Sequence, residues 1–377
     1  MVIEVKDKNI LTLLLIGLLS TSCSPTKTYS VENYRTVMKF HDNFKILQLT
    51  DLHFGIESNL EEQTKFISQS IKEANPDLIL LTGDNFMYAS KSIVRLLIET
   101  LNTNCKELTS SHPETVTKFA ITFGNHDNQG DYPRYYINNV IKEYVTTEGK
   151  EVEDNKYASF IDYEDDDLFG LTNYYIDLVD DISKSRETVV VIYRIHIIDS
   201  NTYHYTGIKY GYDYIKEEQL EHVNNIYNNA TKDKDYIGIA AFHIPLKEFQ
   251  DANEQYESST NKDNVGQGNF GEDVLYPYKD INAYQKLKEA NISSFIVGHN
   301  HKIATDVIYN ADSSNIEDKA IFSFGVKSTN QLYHFKDQIG YKIINLKDNM
   351  TKEEFISIEN IKENFKNVTT RGEDYEK

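Results

Sequence analysis

Phe44-Lys45-Ile46-Leu47-Gln48-Leu49-Thr50-Asp51-Leu52-His53 is a hydrophobic run of buried-strand length that stops abruptly at a carboxylate and an imidazole. The pattern returns four times. Asp77-Leu78-Ile79-Leu80-Leu81 runs into Thr82-Gly83-Asp84-Asn85, and Phe119-Ala120-Ile121-Thr122-Phe123 into Gly124-Asn125-His126-Asp127. Tyr236-Ile237-Gly238-Ile239-Ala240-Ala241 runs into Phe242-His243-Ile244-Pro245, and Ser293-Ser294-Phe295-Ile296-Val297 into Gly298-His299-Asn300-His301. In open α/β sheets ligands collect beyond the carboxyl ends of the strands, so polar residues at five such ends converge on one crevice. The glycines before Asp84, Asn125 and His299 let the backbone turn sharply and let another group come close.

Between these blocks, apolar stripes at helical spacing predict helices over Glu61 to Ala74, Ser92 to Asn102, Lys216 to Ala230 and Asp280 to Ala290. Further strands are expected at Thr188 to Ile198, Lys319 to Phe324, Tyr341 to Leu346 and Glu354 to Ile358. Strands alternating with helices predict a layered α/β fold, with a second sheet packed on the first and helices outside. The stretches 128–186 and 253–276 have weak periodicity and read as insertions near the site mouth. One domain over 40–350 follows, preceded by a polar tether over 24–39 and followed by a C-terminal strand and frayed tail over 351–377.

Residues 1–23 read as an export signal. Lys6 and Lys8 precede an apolar run from Ile10 to Leu19 that is too short to cross roughly 30 Å of hydrocarbon but has the length of a signal-peptide core. Ser20-Thr21-Ser22-Cys23 is similar to a bacterial lipoprotein signal, with Ser20 where an aliphatic residue is usual; Cys23 would carry the lipid and tether the chain at the cell surface, the alternatives being an ordinary cleaved signal with secretion or an uncleaved anchor. With 39 Lys and Arg against 59 Asp and Glu, the formal charge is -20, which disfavours extended nucleic-acid binding. A phosphorylated small molecule or phosphoprotein fits better as substrate. The two cysteines, Cys23 and Cys105, form no zinc-type cluster, so oxygen and imidazole would have to hold any metal.

Two divalent cations about 3.5 to 4 Å apart need a bridging carboxylate, neutral nitrogen and oxygen ligands, and open positions for water and phosphate. Asp51 and His53 can reach one metal together, Asp84 can bridge, Asn125 offers an amide oxygen, and His243, His299 and His301 offer imidazoles. Mixed ligands of this kind suit Mn, Fe and Zn alike. Each block alone is weak, since a lone His is more often packed or exposed than a ligand. The ordered set of five is specific.

That ordered set, Asp51-Leu52-His53, Gly83-Asp84-Asn85, Gly124-Asn125-His126-Asp127, His243 and Gly298-His299-Asn300-His301, resembles the calcineurin-like metallophosphoesterase family. Asp51 to Gly55, Phe242 to Leu246 and Gly211 to Lys216 resemble in particular its purple-acid-phosphatase-like branch. The resemblance covers roughly residues 40 to 345 and implies a four-layer αββα sandwich with two mixed sheets and helices outside. It further implies that one metal takes Asp51, His53, Asp84 and His301, and the other Asp84, Asn125, His243 and His299. His126 would be the catalytic imidazole, and the reaction an in-line attack of metal-bound hydroxide on a phosphomonoester. A phosphodiesterase or nuclease on the same scaffold, or a catalytically silent surface binding protein, are the alternative functions. Met87 stands where purple acid phosphatases carry a metal-binding Tyr, which argues against a ferric-tyrosinate centre. It also stands where related phosphatases carry an Asp that orients the catalytic imidazole, leaving adjacent Asp127 as a candidate for that task. His204, Asp199 and Asn201 are further candidates to line the substrate pocket, while His41, His112, His196, His222 and His334 read as packed or exposed. The acidic run Glu164 to Asp167 lacks the Gly and terminal Glu of a calcium loop.

Overall fold

All five strands that carry the motifs form, and in each the apolar run is buried up to the residue where the polar block begins. The computed structural model describes residues 34–370 apart from 56–57, 113–114, 146–156, 161–167, 186–187, 230–234 and 336. The expected signal through Cys23, the acidic run 164–167 and the tail 371–377 lie outside the described residues. From the N-terminal side, β1 (Arg35–Lys39) and β2 (Phe44–Leu49) lead to α1 (Leu60–Ala74), β3 (Leu78–Thr82), α2 (Lys91–Ser111) and β4 (Lys118–Thr122). Next come α3 (Arg134–Val145), β5 (Tyr174–Val179), β6 (Val191–Ile197), α4 (Glu217–Asn228), β7 (Ile237–Ala241), α5 (Glu248–Ser258) and β8 (Gly266–Phe270). The chain then adds α6 (Ala283–Glu289), β9 (Ile292–Val297), β10 (Ile303–Tyr309), β11 (Ala320–Phe324), β12 (Ile339–Leu346), α7 (Lys352–Phe355), α8 (Ile358–Asn364) and β13 (Phe365–Thr370).

These strands make two mixed sheets, one of eight strands in the order β1-β5-β6-β7-β9-β11-β10-β8 and one of five in the order β13-β12-β2-β3-β4. Within them β2, β3 and β4 run parallel, as do β6, β7, β9 and β11, so the motif-bearing ends of both sheets point the same way. The sheets face each other across a shared apolar layer in which Ile46, Ile79 and Phe119 meet Ile176, Tyr193 and Ile195. Polar contacts also cross the layer. Gln48 Nε2 of β2 donates to the Val297 carbonyl of β9 at 3.0 Å, and buried Lys342 of β12 pairs with buried Asp306 of β10. Helices α1 and α2 cover the smaller sheet through buried Phe66, Ile67, Ile71, Val94, Leu97 and Leu101. Helices α4, α5 and α6 cover the larger one through Leu220, Phe249 and Leu287. The result is the four-layer sandwich.

Several boundaries differ from expectation, each for a local reason. The tether predicted over 24–39 ends early, because Arg35–Lys39 pairs in parallel with β5 and the Arg35 guanidinium reaches Asp177 at 2.8 Å. Stretch 128–186 is no simple insertion. It supplies α3, anchored where Arg134 grips Asp199 at 2.8 Å, and the core strand β5. Likewise 253–276 contributes the end of α5 and the edge strand β8, antiparallel to β10. The strand expected at Glu354 to Ile358 is a helical turn, α7, because Thr351 and Glu354 cap each other's backbone N–H groups. The C-terminal strand lies instead at Phe365–Thr370, within the stretch expected to fray. Helix α2 runs nine residues past Asn102, since Cys105 and Thr109 continue its buried face.

Candidate metal centre

The side chains of Asp51, His53, Asp84, Asn125, His243, His299 and His301 come from loops at the ends of β2, β3, β4, β7 and β9, and all are at least nine-tenths buried. Asp51, His53, Asp84 and His299 have φ of 54°, 48°, 49° and 77°. For residues with a Cβ such a backbone costs of order 1–3 kcal/mol and persists only where neighbours fix it. Here the loops fix one another: Asp51 N–H donates to the Gly83 carbonyl at 3.1 Å and His53 N–H to the Asp84 carbonyl at 2.9 Å. Two glycines are demanded by close approach. A Cβ on Gly124 would lie 2.3 Å from Asp84 Oδ1, and one on Gly298 would lie 2.0 Å from Thr50 Oγ1.

Six of the seven side chains fall into two groups that share Asp84. Asp84 Oδ2 lies 3.1 Å from His243 Nε2 and 3.5 Å from His53 Nε2. On the His53 side Asp51 Oδ1 lies 3.3 Å from His301 Nε2, and on the other side His299 Nδ1 lies 3.2 Å from His243 Nε2. Atoms bonded to one cation at about 2.1 Å stand about 3 Å apart when roughly at right angles, so these separations fit ligands around a common centre. Asp51, His53, Asp84 and His301 could hold one ion, and Asp84, His243 and His299 a second. Asn125 lies beside the second group through the shared loop, where His126 N–H donates to Asp84 Oδ1 at 2.7 Å.

Hydrogen bonding leaves the same atoms bare. Asp51 Oδ1, His53 Nε2, Asp84 Oδ2 and Asn125 Oδ1 are buried without a hydrogen-bond partner, a condition that costs about 1–3 kcal/mol per atom unless a cation relieves it. Their remaining atoms are occupied. Asp51 Oδ2 accepts from Thr50 Oγ1 at 2.8 Å and from His299 N–H at 3.1 Å. The Nδ1 atoms of His243 and His301 donate to the carbonyls of Thr82 and Tyr333, each at 2.9 Å, which leaves Nε2 of each ring facing the carboxylates. The residues present therefore fit a pair of divalent cations.

Charge follows the same arrangement. Burial pushes the Asp84 carboxyl upward, but the imidazoles of His243 and His126 outweigh it and hold the carboxyl well below the usual range. For Asp51, burial is likewise outweighed, by the adjacent imidazole of His301, 3.3 Å away, and that of His243. Burial and the nearby Lys327 charge depress His53 to about 3, keeping it neutral. Burial and the His243 charge likewise depress His299 to about 3, whereas His243 itself, although buried, is raised to about 9 by the Asp84 carboxylate, so a cation binding there would displace its proton.

His126 sits at the open side of the group, its side chain 22% exposed and its Nε2 4.0 Å from Asp84 Oδ2. Asp127 does not orient it. The Asp127 carboxylate accepts from Phe86 N–H at 2.6 Å and Gly124 N–H at 2.7 Å, and so braces the backbone on either side of the site. The other candidate residues are engaged with neighbours outside the seven. His204 stacks on Tyr278 with ring centroids 4.7 Å apart, Asp199 binds Arg134, and Asn201 Nδ2 donates to the Tyr214 carbonyl. The residues that do reach the centre escaped the sequence reading. Tyr203 Oη accepts from Asn125 Nδ2 at 2.7 Å, Tyr333 stacks on His301 at 4.4 Å, and buried Lys327 donates to the Asp51 carbonyl at 3.0 Å. The Tyr203 to Tyr214 segment carried a signal, its density of tyrosines, but not which ring reaches the centre: the Tyr203 hydroxyl meets Asn125 while His204 stacks on Tyr278.

The chain is similar to several known proteins. Phosphatase DCR2 of Saccharomyces cerevisiae is 26% identical over 274 residues, which cover 68% of this chain and 44% of that protein. "Probable inactive purple acid phosphatase 29" of Arabidopsis thaliana is 28% identical over 241 residues, covering 57% of this chain and 58% of that protein. The chain spans about half the length of the curated relatives it matches. A solved dimetal phosphatase from Danio rerio covers 82% of this chain and 94% of its own, with a TM-score of 0.43 and 8% identity. The family model described as calcineurin-like phosphoesterase matches residues 44–302, from the first residue of β2 to one residue past His301. Because that span covers most of the chain and encloses all seven of these residues, the chain belongs to the calcineurin-like phosphoesterase family.

Proposed function

We propose that this chain is a two-metal phosphomonoesterase, with Asp51, His53, Asp84 and His301 holding one divalent cation and Asp84, Asn125, His243 and His299 the other. The observation that carries the reading is the sharing of Asp84 Oδ2 between the two groups, with unpartnered donor atoms directed to both sides. When bound, such a pair supplies Lewis acidity that lowers the pKa of water and offsets phosphoryl charge, so no Ser or Cys nucleophile is needed. The protein's own residues provide the rest. Asp51 and Asp84 stay ionised at neutral pH, and the loop hydrogen bonds hold the site rigid before substrate arrives. His126, partly exposed at the edge of the group, is the residue that contacts the phosphoryl oxygens and gives a proton to the leaving alcohol.

The complete donor set favours this reading over a silent binding protein. The acidity of the chain favours a compact phosphoester over nucleic acid. Metal choice among Mn, Fe and Zn is open to any ion that accepts mixed oxygen and imidazole ligands. We further propose, from the sequence of residues 1–23, export and lipid anchoring at Cys23. Turnover of p-nitrophenyl phosphate and of its bis ester by protein loaded in turn with each metal tests the activity. Faster cleavage of the monoester is expected. Faster cleavage of the diester would replace this reading with a phosphodiesterase, and no cleavage of either would leave the silent binder.

A further inference from the structure

We infer that Tyr203 is a positioning residue for one half of the centre, locking the Asn125 amide so that its single ligating oxygen faces Asp84, His243 and His299. The inference rests on the two-metal reading above. A side-chain amide has two ends of nearly equal size, of which only the oxygen can bind a cation, while the NH₂ end carries two donors and repels it. Rotation by half a turn would therefore cost a ligand. Asn125 is buried, its Nδ2 donates to the Tyr203 hydroxyl at 2.7 Å, and its Oδ1 is left without a partner. The phenol thus selects the orientation.

Tyr203 reaches this place from a short hairpin, Tyr203–Tyr205 paired antiparallel with Tyr210–Tyr212, in which Tyr203 lies opposite Tyr212. The Tyr212 ring meets the His299 ring edge-on at 4.4 Å and leans on Tyr203 at 5.6 Å. One cross-strand pair thus touches two side chains of the same half, Asn125 and His299. The other half is braced by different elements: Lys327 holds the Asp51 carbonyl and the Tyr333 carbonyl holds His301. The braces of the two halves are therefore separate, although Asp84 is common to both. Away from the site the hairpin is exposed at Tyr205, Ile208 and Tyr210, so loss of one hydroxyl at its base leaves the core layers intact.

The test is calorimetric titration of metal-stripped protein with Mn²⁺, following both binding steps, in wild type, Tyr203→Phe, Asn125→Asp and the double variant. Wild type is expected to bind two ions. Tyr203→Phe is expected to bind the first with unchanged affinity and the second about 10–100-fold more weakly, the usual cost of losing a residue that orients a ligand. A carboxylate offers two equivalent oxygens and needs no such selection. In the Asn125→Asp background the same Tyr203→Phe change is therefore expected to weaken the second step by less than about threefold, a coupling that general loosening of the fold would not produce. If wild type binds two ions and Tyr203→Phe binds both with wild-type affinity, the positioning role fails while the two-metal reading stands. Equal losses in both backgrounds would also overturn it, in favour of a purely structural role. If wild type itself binds fewer than two ions, the two-metal reading fails and the inference falls with it.

Discussion

Replacing Gly124 by Ala places one methyl group at the centre of the site. The added Cβ would lie 2.3 Å from Asp84 Oδ1, 2.4 Å from Asp84 N and 2.6 Å from His243 Cδ2. Ordinary contact begins near 3.4 Å, so something must retreat by about 1 Å. A flexible chain tip could move cheaply, but Asp84 N is backbone at the end of β3, and Asp84 Oδ1 is held by the His126 N–H. A displacement of about 1 Å is several times the tolerance of roughly 0.2 Å expected for metal–ligand distances. Overpacking of this kind costs about 1–3 kcal/mol of stability, which leaves a protein of ordinary stability folded. The same displacement is expected to cost at least about 10²-fold in kcat/KM, with fewer than two metals retained per chain. Denaturant unfolding, metal analysis and phosphoester kinetics on the purified variant measure the three quantities. A folded Gly124→Ala protein that keeps two metals and kcat/KM within twofold of wild type would refute the convergence of Asp84 and His243 on one site.

Other consequences are equally direct. His126→Ala is expected to leave metal content unchanged and to lower kcat by about 10²–10⁴, more for poor alcohol leaving groups than for p-nitrophenol; an equal loss for both would remove His126 as proton donor. Lys342→Met leaves Asp306 as an unpaired charge between the sheets and is expected to cost about 3–5 kcal/mol in denaturant unfolding, most of it regained on adding Asp306→Leu. If the single and double variants are equally unstable, the pair is not what holds that layer. His196 is buried, and burial together with the Arg194 and His222 charges depresses its folded pKa well below the ordinary 6.5. The unfolded chain therefore binds the extra proton first, and stability is expected to fall as pH drops below about 6.5, by up to about 1.4 kcal/mol per pH unit from this group. In His196→Gln that part of the slope should vanish, and an unchanged slope would assign it elsewhere.

Much of the site was legible because its residues are local to strand ends. The transition from a buried apolar run to Asp, Asn or His is written in consecutive residues, and so are the glycines that permit close approach. What depended on distant partners was not. Arg35–Lys39 is a strand only because β5 lies alongside and Asp177 receives Arg35 from 142 positions away. Lys327 sits in a short polar stretch with nothing nearby to announce that its ammonium reaches Asp51 and His53. Tyr203 was visible as one tyrosine among many, and only the hairpin register singles it out from Tyr205 and Tyr210. Asp127 was misread because sequence adjacency to His126 says nothing of direction, and its carboxylate turns instead to the Phe86 and Gly124 amides. The turn at Thr351 to Phe355 shows a different conflict, in which a capping box prevailed over an apolar pattern too short to decide.

The central claim is that one carboxylate serves two cations, and metal content tests it most directly. Wild-type protein and Asp84→Ala, purified in parallel and saturated with Mn²⁺, would be measured by elemental analysis against protein concentration, with circular dichroism to establish that both are folded. Two ions per wild-type chain are expected, with fewer than one in folded Asp84→Ala, because removing the shared carboxylate weakens both groups together. One ion or none in wild type, or two retained by Asp84→Ala, would contradict it.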